Sequence, residues 1–379
     1  MTLVLGIETS CDETALALLE GRTVRAEAMA SQVAAHALFG GVVPELASRE
    51  HLRCLGPLLD RVLAEAGVRA GDLDAVAVAR GPGLLGSLLV GVSLAKGLAL
   101  ATGAALVGVN HLEAHLLAPA LDQDIPFPCL GLLVSGGHTQ LYLMRSATDF
   151  EVLGRTLDDA AGEAFDKAAK SLNLPYPGGK VMDDLARLAE PVPDLFPRAY
   201  VANDNLDFSF SGLKTAMAQY VAAHPDLRLP ALADPAALEP ERLPADLARV
   251  CASYNLAVAD TLRIKVERAL DRVAVRGLVA AGGVAANAML RRVLAGVAER
   301  RGLPLILPPP RLCTDNGVMV ALAGRFLFEA GLVHGPDLEA IPRGRAVPRD
   351  FRTVAPAGRS EARAASSGLT SGRSLTTLP

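Results

Sequence analysis

Cysteine is scarce in this sequence and follows no recognisable pattern. The chain of 379 residues contains five cysteines, at positions 11, 54, 129, 251 and 313, and no two of them are spaced C-x-x-C. An odd number of scattered cysteines argues against a disulfide framework, and the lack of C-x-x-C pairs argues against a zinc ribbon. A reducing compartment is therefore expected.

The sequence also lacks a recognisable signal peptide and an unbroken apolar span. The opening MTLVLGIETSCDE has no basic residue before its apolar run and reaches acidic residues at once, which is atypical of a signal peptide. Apolar stretches such as LLGSLLVGVSLAKGLALATG are interrupted by Gly, Ser and Lys, so none indicates a lipid-spanning helix. We expect a cytoplasmic protein without a membrane segment.

An excess of positive charge is absent as well. Lys and Arg number 37 against 41 Asp and Glu, which gives a net charge of −4. Proteins that bind nucleic acids usually contact phosphates through clustered Lys and Arg. Any contact with RNA is therefore expected to be local or shared with a partner.

The apolar content, in contrast, is high and follows a duplicated pattern. Hydrophobic residues make up 51% of the chain, enough to bury a large core in two lobes. LVLGIETS and TALALLEG predict a hairpin with Cys11, Asp12 and Glu13 at its tip, and LGLLVS and TQLYLM predict a second hairpin around Gly136-Gly137-His138. Strand, glycine turn and helix alternate elsewhere, so the predicted fold class is α/β with two duplicated halves.

Two segments depart from this pattern. Residues 222–245 contain five prolines among alanines and acids, too many for one regular helix, and are predicted to form an inserted surface loop. Residues 354–379 are rich in Ser, Gly, Ala and Thr without periodicity, and are predicted to be a disordered tail. We expect neither segment to carry chemistry.

His111 and His115 are four residues apart in a predicted helix and therefore project from the same face. A lone H-x-x-x-H pair is weak evidence for a metal, because such pairs also arise by chance in capping or core positions. Leu112 stands where a zinc peptidase would need the glutamate of H-E-x-x-H. Glu113 lies about 200° around the helix from His111 and is predicted to be a solvated charge.

Asp315, in the segment CTDNG before an apolar helix, has two interpretations. It could cap that helix, which is the ordinary role of an aspartate there. It could instead complete a two-histidine, one-carboxylate metal site with open positions, which suits iron or zinc. The sequence alone leaves both open.

Several other polar segments also have a structural and a functional interpretation. Asp12 and Glu13 are either turn residues or supply a general base or a phosphate-orienting group. The run VSGGH offers backbone N–H groups that suit phosphate or carboxylate, although a plain turn would explain its glycines equally well. The helix carrying Asp166 resembles a solvated face, but Gly178-Gly179 close behind it is compatible with a ligand-facing wall.

Eight segments occur together in a specific order: GIETSCDET, NHLEAH, LLVSGGHTQL, DDAAGEAFDKAAK, YPGG, FSFSGLKT, AGGVAAN and CTDNG. In order and spacing they resemble the bacterial tRNA N6-adenosine threonylcarbamoyltransferase family over roughly residues 3–349. The resemblance implies the actin-like ATPase superfold, shared with sugar kinases and heat-shock ATPases. It suggests an amino-terminal lobe of residues 1–109 completed by about 317–349, and a second lobe of residues 110–316.

The resemblance also implies an activity. The family transfers the threonylcarbamoyl group from threonylcarbamoyl-AMP to N6 of the adenosine adjacent to the anticodon (A37) of tRNAs that read codons beginning with A. The product is threonylcarbamoyladenosine. Two rival functions are a non-catalytic nucleotide-binding scaffold and an actin-fold ATPase or kinase that hydrolyses ATP directly.

Site residues carried over from the family fall into three groups. The implied metal ligands are His111, His115 and Asp315, which would hold one divalent ion, with Fe²⁺ favoured and Zn²⁺ as the alternative. Asp12 or Glu13 would assist removal of the amine proton. The implied substrate-binding residues are Val134, Ser135, Gly136, Gly137, His138, Asp166, Gly179, Asp183 and Asn287.

Partners are implied in the same way. Besides tRNA and threonylcarbamoyl-AMP, the resemblance implies a shorter TsaB-like paralogue that forms a heterodimer with this chain. It also implies a TsaE-like P-loop ATPase that supports turnover.

Overall fold

The first part of the chain forms a five-stranded sheet. The computed structural model describes residues 1–37, 39, 41–230, 243 and 245–354. Strands β1 (Leu3–Glu8), β2 (Glu13–Glu20), β3 (Thr23–Ser31), β4 (Ala75–Gly81) and β5 (Ala105–Asn110) lie in the order β3-β2-β1-β4-β5. β1 pairs antiparallel with β2 and parallel with β4, which in turn pairs parallel with β5. The first predicted hairpin is confirmed.

A second five-stranded sheet repeats this topology. It contains β6 (Cys129–Val134), β7 (Thr139–Ser146), β8 (Asp149–Arg155), β9 (Leu278–Ala281) and β10 (Leu305–Ile306), in the order β10-β9-β6-β7-β8. β6 pairs antiparallel with β7 and parallel with β9, as β1 does with β2 and β4. The duplicated architecture is therefore confirmed. A short ladder joins β11 (Leu332–Val333) to β12 (Arg352–Thr353).

Helices follow the strands and cover the two sheets. They are α1 (Val33–Ala37), α2 (Pro44–Ala66), α3 (Leu85–Thr102), α4 (His111–Leu117), α5 (Ala161–Ser171), α6 (Gly178–Ala186), α7 (Ser211–Ala223), α8 (Ala245–Leu270), α9 (Ala288–Arg301) and α10 (Gly317–Glu329). α2 and α3 pack beside the first sheet, while α5 to α9 surround the core of the second. This arrangement confirms the predicted α/β alternation.

Helix α10 is late in the sequence but packs on the first sheet. A Cβ added at Gly6 would lie 2.3 Å from the carbonyl oxygen of Gly317 and 2.4 Å from the amide nitrogen of Ala321. One added at Gly317 would lie 2.5 Å from the carbonyl carbon of Leu16. Since these are backbone atoms, the helix can approach β1 and β2 so closely only because both positions are glycine.

The proline-rich segment lies partly outside the described residues. Helix α7 extends to Ala223, and a 3-10 turn covers Pro225–Leu227 before α8 begins at Ala245. Residues 231–242 and 244 of the predicted insertion, and residues 355–379 of the predicted tail, lie outside the described part. The lobe boundaries near 109 and 316 stay predictions.

Within the described residues, one helix is long and apolar enough to cross a membrane by length and composition. This is α3, Leu85–Thr102, of which 28% is buried inside the protein. Its inner side packs against β4 and α2.

The glycine contact under α10 predicts an unequal response to two Gly→Ala changes. Gly6→Ala is expected to lower the free energy of unfolding by about 3 kcal/mol, because the added methyl group meets backbone that cannot move aside. Gly97→Ala in α3, where the added Cβ meets nothing within 4 Å, should raise it by about 0.5–1 kcal/mol. Urea unfolding of both variants checks this, and similar midpoints would contradict the contact.

Candidate metal centre and substrate cleft

Two buried histidines lie on the first turns of α4, directly after β5. The side chain of Asn110 caps the helix by accepting from the amide of Leu112 at 3.0 Å. This cap fixes the start of the helix, so that His111 and His115 stand one turn apart with ring centroids 4.7 Å apart. They are 7% and 1% exposed. The prediction that they share one face is confirmed.

Asp315 joins the histidines and does not cap α10. The cap is its neighbour Asn316, whose side chain accepts from the amide of Met319 at 2.8 Å. Asp315 Oδ1 lies 3.1 Å from His115 Nε2 and 3.6 Å from His111 Nε2. The structure therefore favours the ligand interpretation of Asp315 over the capping one.

The three side chains fit a divalent metal ion. Asp315 Oδ1 lies 3.1 and 3.6 Å from the two Nε2 atoms, close to the separation of about 3 Å between ligands bound about 2.0–2.1 Å from one ion. All the ligand atoms lie within 4.8 Å of one another, so a small inward movement of the side chains would complete the site. Burial would raise the pKa of Asp315, but the charge of His111 and the hydrogen bond and charge of His115 lower it well below its ordinary value. Asp315 is therefore an anionic ligand beside two imidazoles, a set that suits iron or zinc.

Glu113 faces away from this group, as expected, but it is not a solvated charge. Its carboxylate accepts from Asn110 at 3.2 Å and pairs with Arg349 at 3.2 Å. Burial raises the pKa of Glu113 to about 7, although Arg349 opposes the shift. The prediction was wrong because Arg349 comes from a segment more than 200 residues away, which the helix period does not reveal.

The turn between β1 and β2 presents Glu13 to the same region. Ser31 Oγ donates to Glu13 Oε1 at 2.8 Å, whereas Glu13 Oε2 is buried without a hydrogen-bond partner among the described residues. Burial raises the pKa of Glu13 to about 7, the bond from Ser31 opposes this, and the charges of Asp12 and Asp315 add to it. Glu13 thus has a free acceptor atom and a pKa suited to proton transfer.

His51 supports this turn from behind, a role that sequence analysis missed. Its Nε2 lies 2.9 Å from the carbonyl oxygen of Cys11, and its Nδ1 lies 2.7 Å from Thr14 Oγ1. Because a carbonyl only accepts, Nε2 carries the proton and Nδ1 accepts from the threonine. Burial lowers the pKa of His51, so a neutral ring joins both sides of the turn.

The second turn, Val134 to His138, is compact and lies close to α5. Two hydrogen bonds join Ser135 and His138. The amide of Ser135 donates to the carbonyl of His138 at 2.8 Å, and the amide of His138 donates to Ser135 Oγ at 3.1 Å. Gly162 N donates to the Ser135 carbonyl at 3.2 Å. Burial, followed by the charges of His111 and Arg343, lowers the pKa of His138 to about 4. Arg343 reaches this turn from the carboxyl-terminal segment and donates to the Gly137 carbonyl at 3.0 Å.

The remaining predicted substrate residues are connected to one another and to this turn. Asp166 accepts from the amides of Gly178 at 2.9 Å and Gly179 at 3.4 Å, which joins α5 to the start of α6. The turn before α9 packs against the second hairpin, since a Cβ on Gly282 would lie 2.4 Å from the Val134 carbonyl oxygen.

Asp183 and Asn287 meet at the start of α9. Asp183 accepts from the amide of Ala288 at 3.1 Å, and Asn287 caps the helix by accepting from Leu290 at 3.0 Å. Asn287 also donates to buried Asn255, which sequence analysis missed. The predicted substrate residues therefore lie on elements that pack together, and Asp166, Asp183 and Asn287 also stabilise helix starts.

Two five-stranded sheets of the same topology, with a histidine–carboxylate group formed by α4 and the residue pair before α10, define an actin-like protein with a metal-type site. The crystal structure of full-length HypF in its phosphate- and nucleotide-bound form is similar, with a TM-score of 0.55 at 13% sequence identity. The similarity covers 86% of this chain and 46% of HypF, and it concerns the fold alone. The predicted actin-like ATPase superfold is confirmed.

Sequence relatives are much closer. A tRNA N6-adenosine threonylcarbamoyltransferase of Solidesulfovibrio magneticus is 62% identical over 352 residues, 92% of this chain and 95% of the relative. One of Nitratidesulfovibrio vulgaris is 60% identical over 360 residues, 94% of this chain and 99% of the relative. The profile of TsaD, tRNA N6-adenosine threonylcarbamoyltransferase, matches residues 23–322. The chain belongs to this family and is a transferase that modifies tRNA, which argues against the scaffold and kinase alternatives.

The geometry predicts that a divalent ion stabilises the protein through α4 and Asp315. Zn²⁺ or Fe²⁺ at 100 times its Kd should stabilise the metal-free protein by about 2.7 kcal/mol. His115→Ala should abolish this gain, because it removes a buried ligand. His224→Ala, an exposed histidine at the end of α7, is the control and should retain it. Thermal unfolding with and without ion checks the prediction, and an unchanged gain in His115→Ala would contradict it.

Proposed function

We propose that the cleft transfers the threonylcarbamoyl group from threonylcarbamoyl-AMP to N6 of the adenosine adjacent to the anticodon (A37). The observation that carries this proposal is the presence of two unlike carboxylates close enough for the charge of one to act on the other. Asp315 is held ionised beside two imidazoles, while Glu13, whose pKa responds to the charge of Asp315, has a free acceptor atom. The same proposal places the reaction in the cytoplasm.

The donor would bind on the second lobe. The amides of Gly136 and Gly137 have no hydrogen-bond partner among the described residues, and consecutive free N–H groups suit a phosphate or carboxylate. Neutral His138 lies at the end of this turn. We assign the adenylate to the surface beside this turn, at the starts of α6 and α9. The residues there are Asp166, Gly179, Asp183 and Asn287.

His111, His115 and Asp315 would hold the ion, and the two-histidine, one-carboxylate set favours Fe²⁺, with Zn²⁺ as the alternative. When bound, the ion supplies a positive charge that polarises and anchors the threonylcarbamoyl end of the donor. The three residues fix where that end lies relative to the second turn. In this proposal they anchor substrate and do not activate water, in keeping with Leu112 in place of a glutamate.

Glu13 would act as the general base. The N6 amine attacks the carbonyl carbon, a C–N bond forms, and the bond from that carbon to the phosphate oxygen breaks, so that AMP leaves. The amine proton passes to Glu13 Oε2, the oxygen without a hydrogen-bond partner among the described residues. Asp12 contributes charge that helps to raise the pKa of Glu13.

This role predicts a pH dependence. Only ionised Glu13 accepts a proton, so the single-turnover rate should rise with pH through about 7, the pKa of Glu13, and change about tenfold per unit well below it. Glu13→Gln should lower the rate by about 10²–10³-fold and remove its rise with pH. Glu20→Gln, at the other end of β2, is the matched control. A Glu13→Gln variant that keeps both the wild-type rate and its rise with pH would exclude Glu13 as the general base.

We also propose that the TsaB-like paralogue docks on the outer face of α2 and α3. The two helices touch, because a Cβ on Gly86 would lie 2.4 Å from Ser48 Oγ. Three leucines on these helices are exposed: Leu52, Leu89 and Leu100, with exposed fractions of 73%, 48% and 85%. Apolar surface of this kind is typical of a protein interface. A TsaE-like P-loop ATPase is proposed from the family resemblance alone.

Charge on this face should prevent the heterodimer. Leu89→Glu is expected to weaken binding of the paralogue more than tenfold, because a carboxylate would be buried in an apolar interface. Leu188→Glu, which alters a leucine 61% exposed elsewhere, should leave binding unchanged. Size-exclusion chromatography with light scattering checks this, and equal heterodimer formation by both variants would place the paralogue on another surface.

A further inference from the structure

Glu8 is a fully buried carboxylate at the end of β1. Its exposed fraction is 0%, and the other residues of this strand are aliphatic or glycine. Burying a charge costs several kcal/mol unless strong partners compensate. Among the described residues no lysine or arginine forms an ion pair with it, and the titratable side chain that it contacts is the imidazole of His111.

The two oxygens of Glu8 have separate partners. Oε1 accepts from the amide of Ser10 at 2.6 Å, and Oε2 lies 2.9 Å from His111 Nδ1. Ser10 Oγ lies 3.2 Å from the same nitrogen. Glu8 is therefore held by the backbone of the turn that carries Asp12 and Glu13, and it meets the ring of His111 on one defined edge.

That edge is the one opposite the candidate metal centre. The other nitrogen of His111, Nε2, faces Asp315 at 3.6 Å. A carboxylate can only accept, so its contact keeps the proton of a neutral imidazole on Nδ1 and leaves the lone pair of Nε2 directed at the ion. A carboxylate behind a ligating histidine also fixes the orientation of the ring and increases its basicity.

His115 provides a contrast within the same site. Its Nε2 lies 3.1 Å from Asp315, but its Nδ1 is buried without a hydrogen-bond partner among the described residues. Packing alone holds the far edge of that ring. The two histidines are thus unequal, and a polar group orients only His111.

We propose that Glu8 is the positioning residue for His111, setting its tautomer and ring orientation for the ion and coupling the metal centre to the β1–β2 turn. This inference rests on the proposed metal centre. The competing explanation is a buried ion pair that only holds α4 against β1. A purely structural pair would affect stability without changing metal affinity.

The test compares two acid-to-amide variants, one at the last residue of β1 and one that contacts its first residue. Glu8→Gln keeps the shape but removes the charge. Asp74→Asn is the matched control, because Asp74 Oδ2 accepts from the amide of Leu3 at 2.7 Å and is remote from the histidines. The Kd for Zn²⁺ is measured on the full chain by competition with a chelator. We expect Glu8→Gln to raise it about 10–100-fold and Asp74→Asn to change it less than about twofold.

A second measurement needs no Glu8 variant. In zinc-loaded wild-type protein, ¹⁵N–¹H correlation spectra of the imidazoles should show His111 with its proton on Nδ1, the signal being assigned by its loss in His111→Asn. Wild-type affinity in Glu8→Gln, or zinc bound through Nδ1 of His111, would overturn the inference. A wild-type chain that binds no Zn²⁺ or Fe²⁺ would instead refute the proposed metal centre itself.

Discussion

The close contact between α10 and β1 is the constraint on which the candidate metal centre depends. Gly6 and Gly317 let the helix rest on strand backbone, and the residues just before the helix are thereby fixed beside the end of the first sheet. Asp315 can then face α4, although about 200 residues separate it from His115. Asn316 takes over the capping role, so the carboxylate of Asp315 remains available as a ligand.

Neighbouring ionisable groups in the candidate site have widely separated pKa values. Asp315 has a pKa well below its ordinary value, Glu13 has one near 7, and His138 has one near 4. Burial acts on all three groups, yet adjacent charges decide the direction for Asp315. Pairs of like groups with separated pKa values are typical of sites that need both a permanent anion and a proton acceptor.

Much of the fold was predictable from sequence, because it follows from local periodicity. Both hairpins, the α/β alternation and the shared face of His111 and His115 are properties of short segments. The roles of Glu8, Glu113 and Arg343 depend on partners far away in the chain, which no local pattern identifies. Asp315 could be predicted only in part. Its carboxylate suggested a metal ligand, but a helix-capping role was equally possible until the structure showed that Asn316 caps α10.

The duplicated hairpins have a consequence for how such a site can diversify. Both turns follow a first strand that pairs antiparallel with the second and parallel with a third. One turn now carries Asp12 and Glu13, and the other carries two glycines and His138. Asp12, the two glycines and His138 lie outside the paired registers, and Glu13 occupies only the first rung between β2 and β3. Substitution at these turns therefore leaves most of each ladder in place. A symmetric scaffold can thus acquire two complementary half-sites through changes confined to a few turn residues.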